Sequence, residues 1–182
     1  MLIIGMEFKN FINIHNGETI SVLGLGESIQ NFLAKENKDT TIGVNDVAKY
    51  YSPNYLVCLD MPQSFAMERW QTIAKTNTTC VFSHRVLPVN SPLCLVGFRE
   101  RKDYYLNDCG RLNKSIISPF VACVIAYYMG AKRIEVYGMD LNTHHAKHHV
   151  NRITEDFKGL NKSMIKAGVE LVQTNPKSLI QW

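Results

Sequence analysis

Three groups of residues in this sequence are of types, and at spacings, that could do chemistry. The first is Gly24-Leu25-Gly26-Glu27-Ser28, set between an apolar, β-branched run (Thr19 to Leu23) and a helical stretch from Ile29 to about Lys35. Small residues at such a turn let backbone N–H groups approach an anion, and a helix start favours negative charge. The same five residues also fit a tight strand-to-helix turn with no ligand. The second group is Asn45, Asp60 and Asp140, each closing a short apolar run. Their side chains suit hydrogen bonds to a base or a sugar, although Asp and Asn are also ordinary turn residues. The third is a cluster in which four of the six histidines, His144, His145, His148 and His149, fall within six positions. On a helix, His144 and His148, and His145 and His149, stand one turn apart and could bind a metal. No Glu completes an HExxH pattern and no Cys is adjacent, so no metal is expected. A single imidazole, from His145, His148 or His149, is the better fit as a general base, because its pKa lies near working pH. A polar loop without a chemical role is the alternative.

These groups need elements to position them. Thr19 to Leu23, Thr40 to Val44, Tyr55 to Leu59, Thr78 to Phe82, Ile134 to Met139 and Val169 to Gln173 read as strands. They are short continuous apolar runs, as expected of parallel strands covered on both faces. Helices are expected after Ser28, from an opening at Met61-Pro62 through Ser64 to Lys75, from Ser118 to Met129 and from Ile153 to Lys166. Ser118-Pro119 is a start signal, with Ser at the N-cap and Pro at the first helical position. Gly130 is a natural helix terminator. The alternation predicts a single doubly wound, Rossmann-like α/β domain over residues 1–182 with a mainly parallel sheet. In such sheets ligands bind outside the carboxyl ends of the strands. Gly24, Gly26, Ser28, Asn45, Asp60, Ser118 and Asp140 are therefore expected to line one cleft. Met1 to Asn16 reads as either a short first strand or a packed arm. Residues 88–114 are the least regular part, read as a basic lid or loop, with Leu93 to Phe98 as a candidate strand.

The 182 residues and 46% hydrophobic content suit one soluble domain with a core of its own. A net charge of +4 fits an anionic ligand such as a nucleotide and is too small to argue for nucleic acid by itself. The five cysteines are scattered without a CxxC pair and read as reduced thiols of a cytoplasmic protein. Glu7, Lys9 and Asn10 interrupt the apolar residues of the first segment, which reads as neither signal peptide nor membrane span, so no membrane partner is expected.

The run from Ser118 to Asp140 resembles the bacterial sialyltransferases of the Campylobacter type. The match is carried by Ser118, Gly130, Lys132, Ile134, Gly138, Asp140 and Leu141, without a gap. The family's Gly-Asn-Gly-Pro-Ser turn is similar to Gly24-Leu25-Gly26-Glu27-Ser28. Its Cys-Asn pair falls on Val44-Asn45 and its next strand-end Asn on Asp60. The stretch from His148 through a helix and strand to Asn175-Pro176-Lys177-Ser178-Leu179 follows the family's order. A wider group shares the Gly-rich turn and the Gly-x-Asp signal; some of its members are phage-encoded and some akin to an archaeal pterin pyrophosphokinase. The chain departs from the sialyltransferase pattern at Leu25, at Pro119, and after Leu141, where Asn142 and the histidines replace two tyrosines that hold the leaving phosphate.

The resemblance implies transfer of a sugar from a nucleotide-sugar donor to a hydroxyl acceptor, with no cofactor and with His148, by order, as general base. The acceptor would be a glycan or modified DNA, and a homo-oligomer is left open. Two other readings stand beside it: a nucleotide-binding module without catalysis, such as a phage accessory protein, and diphosphate transfer to a pterin-like alcohol on metal-binding carboxylates.

Overall fold

The computed structural model describes residues 4–99, 106, 111–113, 115–141 and 148–182. Strands β1 (Ile4–Met6), β2 (Thr19–Leu23), β3 (Thr40–Val44), β4 (Tyr55–Val57), β5 (Cys80–Ser83) and β6 (Leu93–Leu95) precede a small parallel pair, β7 (Phe98–Arg99) with β8 (Leu112–Asn113). The last two strands are β9 (Arg133–Tyr137) and β10 (Glu170–Gln173). The main sheet has the order β1-β6-β5-β4-β3-β2-β9-β10 and every pairing in it is parallel. This is the Rossmann-like α/β fold that the alternation of apolar runs predicts.

Among the described residues four α-helices cover the sheet: α1 (Ile29–Leu33), α2 (Met67–Lys75), α3 (Ser118–Tyr128) and α4 (Val150–Lys166). Two apolar cores result. One face carries Ile20, Val22, Ile42, Val44, Val57 and Val136 against the largely apolar α3 and the buried stripe of α4, Ile153, Phe157, Leu160 and Met164. The other carries Leu23, Leu56, Val81 and Tyr137 against Ile29, Phe32, Val47 and Ile73. Strands buried on both faces need no polar alternation, which is why they read as continuous apolar runs.

Element ends differ from the sequence expectation by a few residues. The 3-10 turn Pro62–Ser64 is followed by extended Phe65 and Ala66, so α2 begins only at Met67. Ile117 is the N-cap of α3, placing Ser118 and Pro119 inside its first turn. The first segment is both a strand and an arm. β1 pairs with β6, and Asn13, His15 and Gly17 then donate their N–H groups to Tyr128, Met129 and Gly130, satisfying carbonyls at the end of α3. Gly130 has φ +94 and lies so close to Asn16 that a Cβ would come within 2.9 Å of its Cα. Within the stretch expected to be irregular, Leu93–Leu95 belongs to the main sheet; residues 100–105, 107–110 and 114 lie outside the described residues. Cys58, Cys80, Cys94 and Cys123 are buried free thiols, and Cys109 lies outside the described residues.

Midway along β9 a charged group ties the strand to the segment that follows α1. Glu135 accepts hydrogen bonds from Tyr137 Oη (2.7 Å), Arg133 Nε (2.8 Å) and Lys35 Nζ (3.1 Å). Burial pushes the Glu135 carboxyl up, but the three donors together hold it down at about 2. The folded value lies below the unfolded one, so this contribution to stability is complete above the ordinary carboxylate pKa. It is lost as pH falls from about 5 toward 2. Glu135→Gln should therefore melt below the parent at neutral pH, and the gap should close over that acid range. A gap unchanged down to about pH 2 would show that the ionised carboxylate does not support the fold.

Candidate functional site

All strands of the main sheet point the same way, so their carboxyl ends form one edge. The chain leaves β2 and builds outward through β3, β4, β5 and β6, then returns to the other side of β2 as β9 and β10. The reversal lies between β2 and β9, where open α/β sheets bind ligands. α3 and α4 each precede a parallel strand, so their first turns also lie at this edge.

Between β2 and β9 the backbone is packed without space for side chains. Gly24 N donates to Tyr137 O (2.8 Å) and Gly26 N to Gly138 O (2.7 Å). A Cβ on Gly24 would sit 2.4 Å from Gly138 O, and one on Gly26 would sit 2.5 Å from a carboxylate oxygen of Asp140. Asp140 is 5% exposed. Its Oδ2 accepts from Ser28 N (2.8 Å), and its Oδ1 from Ser28 Oγ (2.5 Å) and from Asn175 Nδ2 (2.7 Å). Ser28 Oγ in turn accepts from Gly138 N (2.9 Å). The glycine-rich turn is thus latched to the end of β9, and the carboxylate holds the latch. Of the turn's amides, those of Gly24, Gly26 and Ser28 are engaged, and those of Leu25 and Glu27 have no partner among the described residues. The backbone bends sharply here: Gly138 has φ +66 and Leu141 φ +58. A bulky residue in the left-handed region is uncommon and costs energy, a pattern concentrated at functional sites.

Beside this latch, β3 ends in Asn45 and Asp46. Asn45 has φ +51, and its N–H donates to Val57 O (3.0 Å). Its side-chain Oδ1 is buried and accepts no hydrogen bond among the described residues. Asp46 is fully buried and accepts from Arg69 Nε (3.1 Å) and Nη2 (2.6 Å) at Oδ1. Lys49 Nζ lies 3.3 Å from Oδ2, close enough for an ion pair but not aligned to donate a hydrogen bond. Burial pushes the Asp46 carboxyl up; the Arg69 hydrogen bonds and charge outweigh it and hold the carboxyl below its ordinary value. The Arg69 guanidinium rests over the Phe65 ring, 5.3 Å from its centroid, and feels the charge of Asp60 as well as Asp46.

The structure brings Gly24, Gly26, Ser28 and Asp140 into direct contact. Asn45, Asp60 and Ser118 lie on the same edge, but among the described residues no hydrogen bond joins them to that group. Asp60 is exposed just beyond β4, and Ser118 is buried at the start of α3. His148 and His149 are exposed in the turn that enters α4, with His149 as its N-cap. His144 and His145 lie outside the described residues, and with them the paired-histidine metal arrangement. Among the described residues no group of three or more His, Cys, Asp or Glu could hold a metal, and no helix is long and apolar enough to cross a membrane. Sequence reasoning missed Asp46, Arg69 and the Asn175 contact to Asp140. Asn175 stood in the C-terminal motif; Arg69 looked like any charged residue on an amphipathic helix.

No protein-family profile and no curated protein matches this chain. Solved structures of the Campylobacter jejuni sialyltransferase CstII do share its fold. Its complex with cytidine-5'-monophosphate superposes with a TM-score of 0.52 at 11% identity, covering 90% of this chain and 82% of that one. A point mutant of the same enzyme, described as an alpha-2,3/8-sialyltransferase, gives 0.52 at 15% identity, over 89% of this chain and 83% of that one. The complex with a trisaccharide acceptor and CMP gives 0.50 at 13% identity over the same shares. At this identity the likeness is one of fold.

Proposed function

We propose that this chain is a glycosyltransferase that takes a nucleotide-sugar donor at the carboxyl edge of its sheet and passes the sugar to a hydroxyl acceptor. The observation that carries the reading is Asn45. It sits at the carboxyl edge in a left-handed conformation, with a buried amide oxygen that accepts no hydrogen bond among the described residues. An unmade hydrogen bond of a buried polar group costs about 1–3 kcal/mol, and such costs persist where a site uses them. CstII, which shares the fold, binds CMP, as its complexes state.

In this reading Asn45 and Asp60 contact the base or ribose. The donor phosphate meets the open amides of Leu25 and Glu27 and the first turn of α3 at Ser118, where the helix end favours an anion. Gly24, Gly26, Ser28 and Asp140 shape the turn from behind. His148, or its neighbours His149 and His145, takes the proton of the acceptor hydroxyl as the new bond forms. No metal or cofactor enters the reaction. The acceptor is a glycan, or modified DNA reached through the basic stretch around Arg99 to Lys114.

One observation favours a second reading, a nucleotide-binding module without turnover, as in a phage accessory protein. The latch engages three of the turn's amides and both oxygens of Asp140. The same engagement disfavours Asp140 as a metal ligand in diphosphate transfer to a pterin-like alcohol.

Thermal shift over nucleotides and sugar nucleotides tests the binding step. A ligand at about a hundred times its dissociation constant stabilises by about 2.7 kcal/mol. The Asn45→Ala protein should lose most of that shift, and an equal shift in both proteins removes Asn45 from the site. Asp140→Ala should lower the melting temperature, by about 3 kcal/mol of stability, because Ser28 and Asn175 lose a charged acceptor. A melting temperature equal to the parent's would contradict the latch. For catalysis, one of His148→Ala, His149→Ala and His145→Ala should cut turnover by about a hundredfold to ten-thousandfold with donor binding intact. Turnover that survives all three single replacements ends the general-base assignment, and nucleotide binding with no turnover in the parent selects the module.

A further inference from the structure

The proposed contact residue Asn45 is not held by its own strand alone. The chain at β3 is pressed against the turn that follows it: a Cβ on Gly43 would fall 2.3 Å from Val47 and 2.9 Å from Pro53. Asn45 then breaks from the strand with φ +51, its N–H bonded across to Val57 O. The next residue, Asp46, has no exposure at all, and its charge is met chiefly by Arg69 from the first turn of α2. A buried carboxylate without its partner is strongly unfavourable, so Asp46 stays where the guanidinium can reach it. That fixes the peptide joining Asp46 to Asn45.

Arg69 is itself restrained. Two of its nitrogens are committed to Asp46 Oδ1, and its Cζ lies over the Phe65 ring. It reaches over from the helix that follows the neighbouring strand β4. Lys49, placed 3.3 Å from Oδ2 but not aligned for a hydrogen bond, cannot fix Asp46 in the same way.

We infer that Arg69, acting through Asp46, is the positioning residue that presents the Asn45 amide to the nucleotide, so that α2 sets the affinity of a site without itself contacting the ligand. This rests on the nucleotide-binding reading above. The pair does not contact the ligand in this account; it holds the left-handed turn whose side chain does. A lysine at position 69 keeps the charge but not the planar two-nitrogen hold, so it should restore the fold better than it restores binding.

The test is a double-mutant cycle read by calorimetric binding of CMP, UMP, AMP and GMP, each as a separate probe. Arg69→Ala should weaken the nucleotide that the parent binds by about tenfold, and most of that loss should disappear in the Asn45→Ala background, because residues acting through one another are not additive. Arg69→Lys should melt closer to the parent than Arg69→Ala while binding as weakly. If Arg69→Ala does not fold, the Asp46→Asn/Arg69→Met pair, which buries no unmatched charge, serves in its place with the same expected loss and the same lack of additivity. Equal losses in both backgrounds, or none in a parent that binds, overturn the positioning role and leave the nucleotide site standing. A folded parent that binds none of the four overturns both.

Discussion

The contact on which the rest of this structure depends is the Asp140 carboxylate, buried at the end of β9 and holding Ser28 on one side and Asn175 on the other. It joins three parts of the chain. The glycine-rich turn after β2 is drawn against the end of β9, and the segment after β10 is drawn to the same point. That segment adds Ser178 Oγ donating to Met139 O (2.7 Å) and Leu179 N donating to Asp140 O (3.2 Å). Three charge-assisted hydrogen bonds in a buried setting are stronger than neutral ones, and removing their common acceptor leaves several donors unsatisfied at once. Gly24, Gly26 and Gly138 are needed for the same reason: the two backbones approach more closely than any Cβ allows.

That closeness governs what the carboxyl edge can offer a ligand. The space between β2 and β9 is filled by the latch. Among the described residues the Leu25 and Glu27 amides have no partner, and Asn45, Asp60 and the start of α3 lie along the same edge. The Asp46–Arg69 pair is a second fixed point, one strand further out. Two rigid anchors flank a short stretch of edge, and preorganised polar groups of this kind lower the ordering cost of binding.

Much of this was legible in the sequence. Continuous apolar runs placed β2 and β3 to the residue, because burial on both faces leaves no polar alternation to blur their ends. β1 was ambiguous, since a three-residue edge strand followed at once by Glu7 and Lys9 carries little apolar signal. Gly24 and Gly26 stood out, but a glycine needed for a phosphate and one needed for a neighbouring backbone look the same in sequence. Asp140 stood out too, yet its partner Ser28 is 112 positions away, a separation no local pattern reports. Arg69 was missed because a cation on an amphipathic helix reads as surface; only the fold shows that it neutralises a carboxylate buried beneath it.

The central claim is that this edge, and not another face of the molecule, holds a nucleotide. The most direct measurement is a backbone amide NMR titration of the folded chain with CMP, UMP, AMP and GMP in turn. The account predicts that one of them shifts Leu25, Glu27, Asn45, Asp46 and Ser118 together and saturably, while His15, Tyr55 and Gly130 at the opposite edge stay in place. Saturable shifts confined to that opposite edge, or no saturable shift with any of the four, would contradict it.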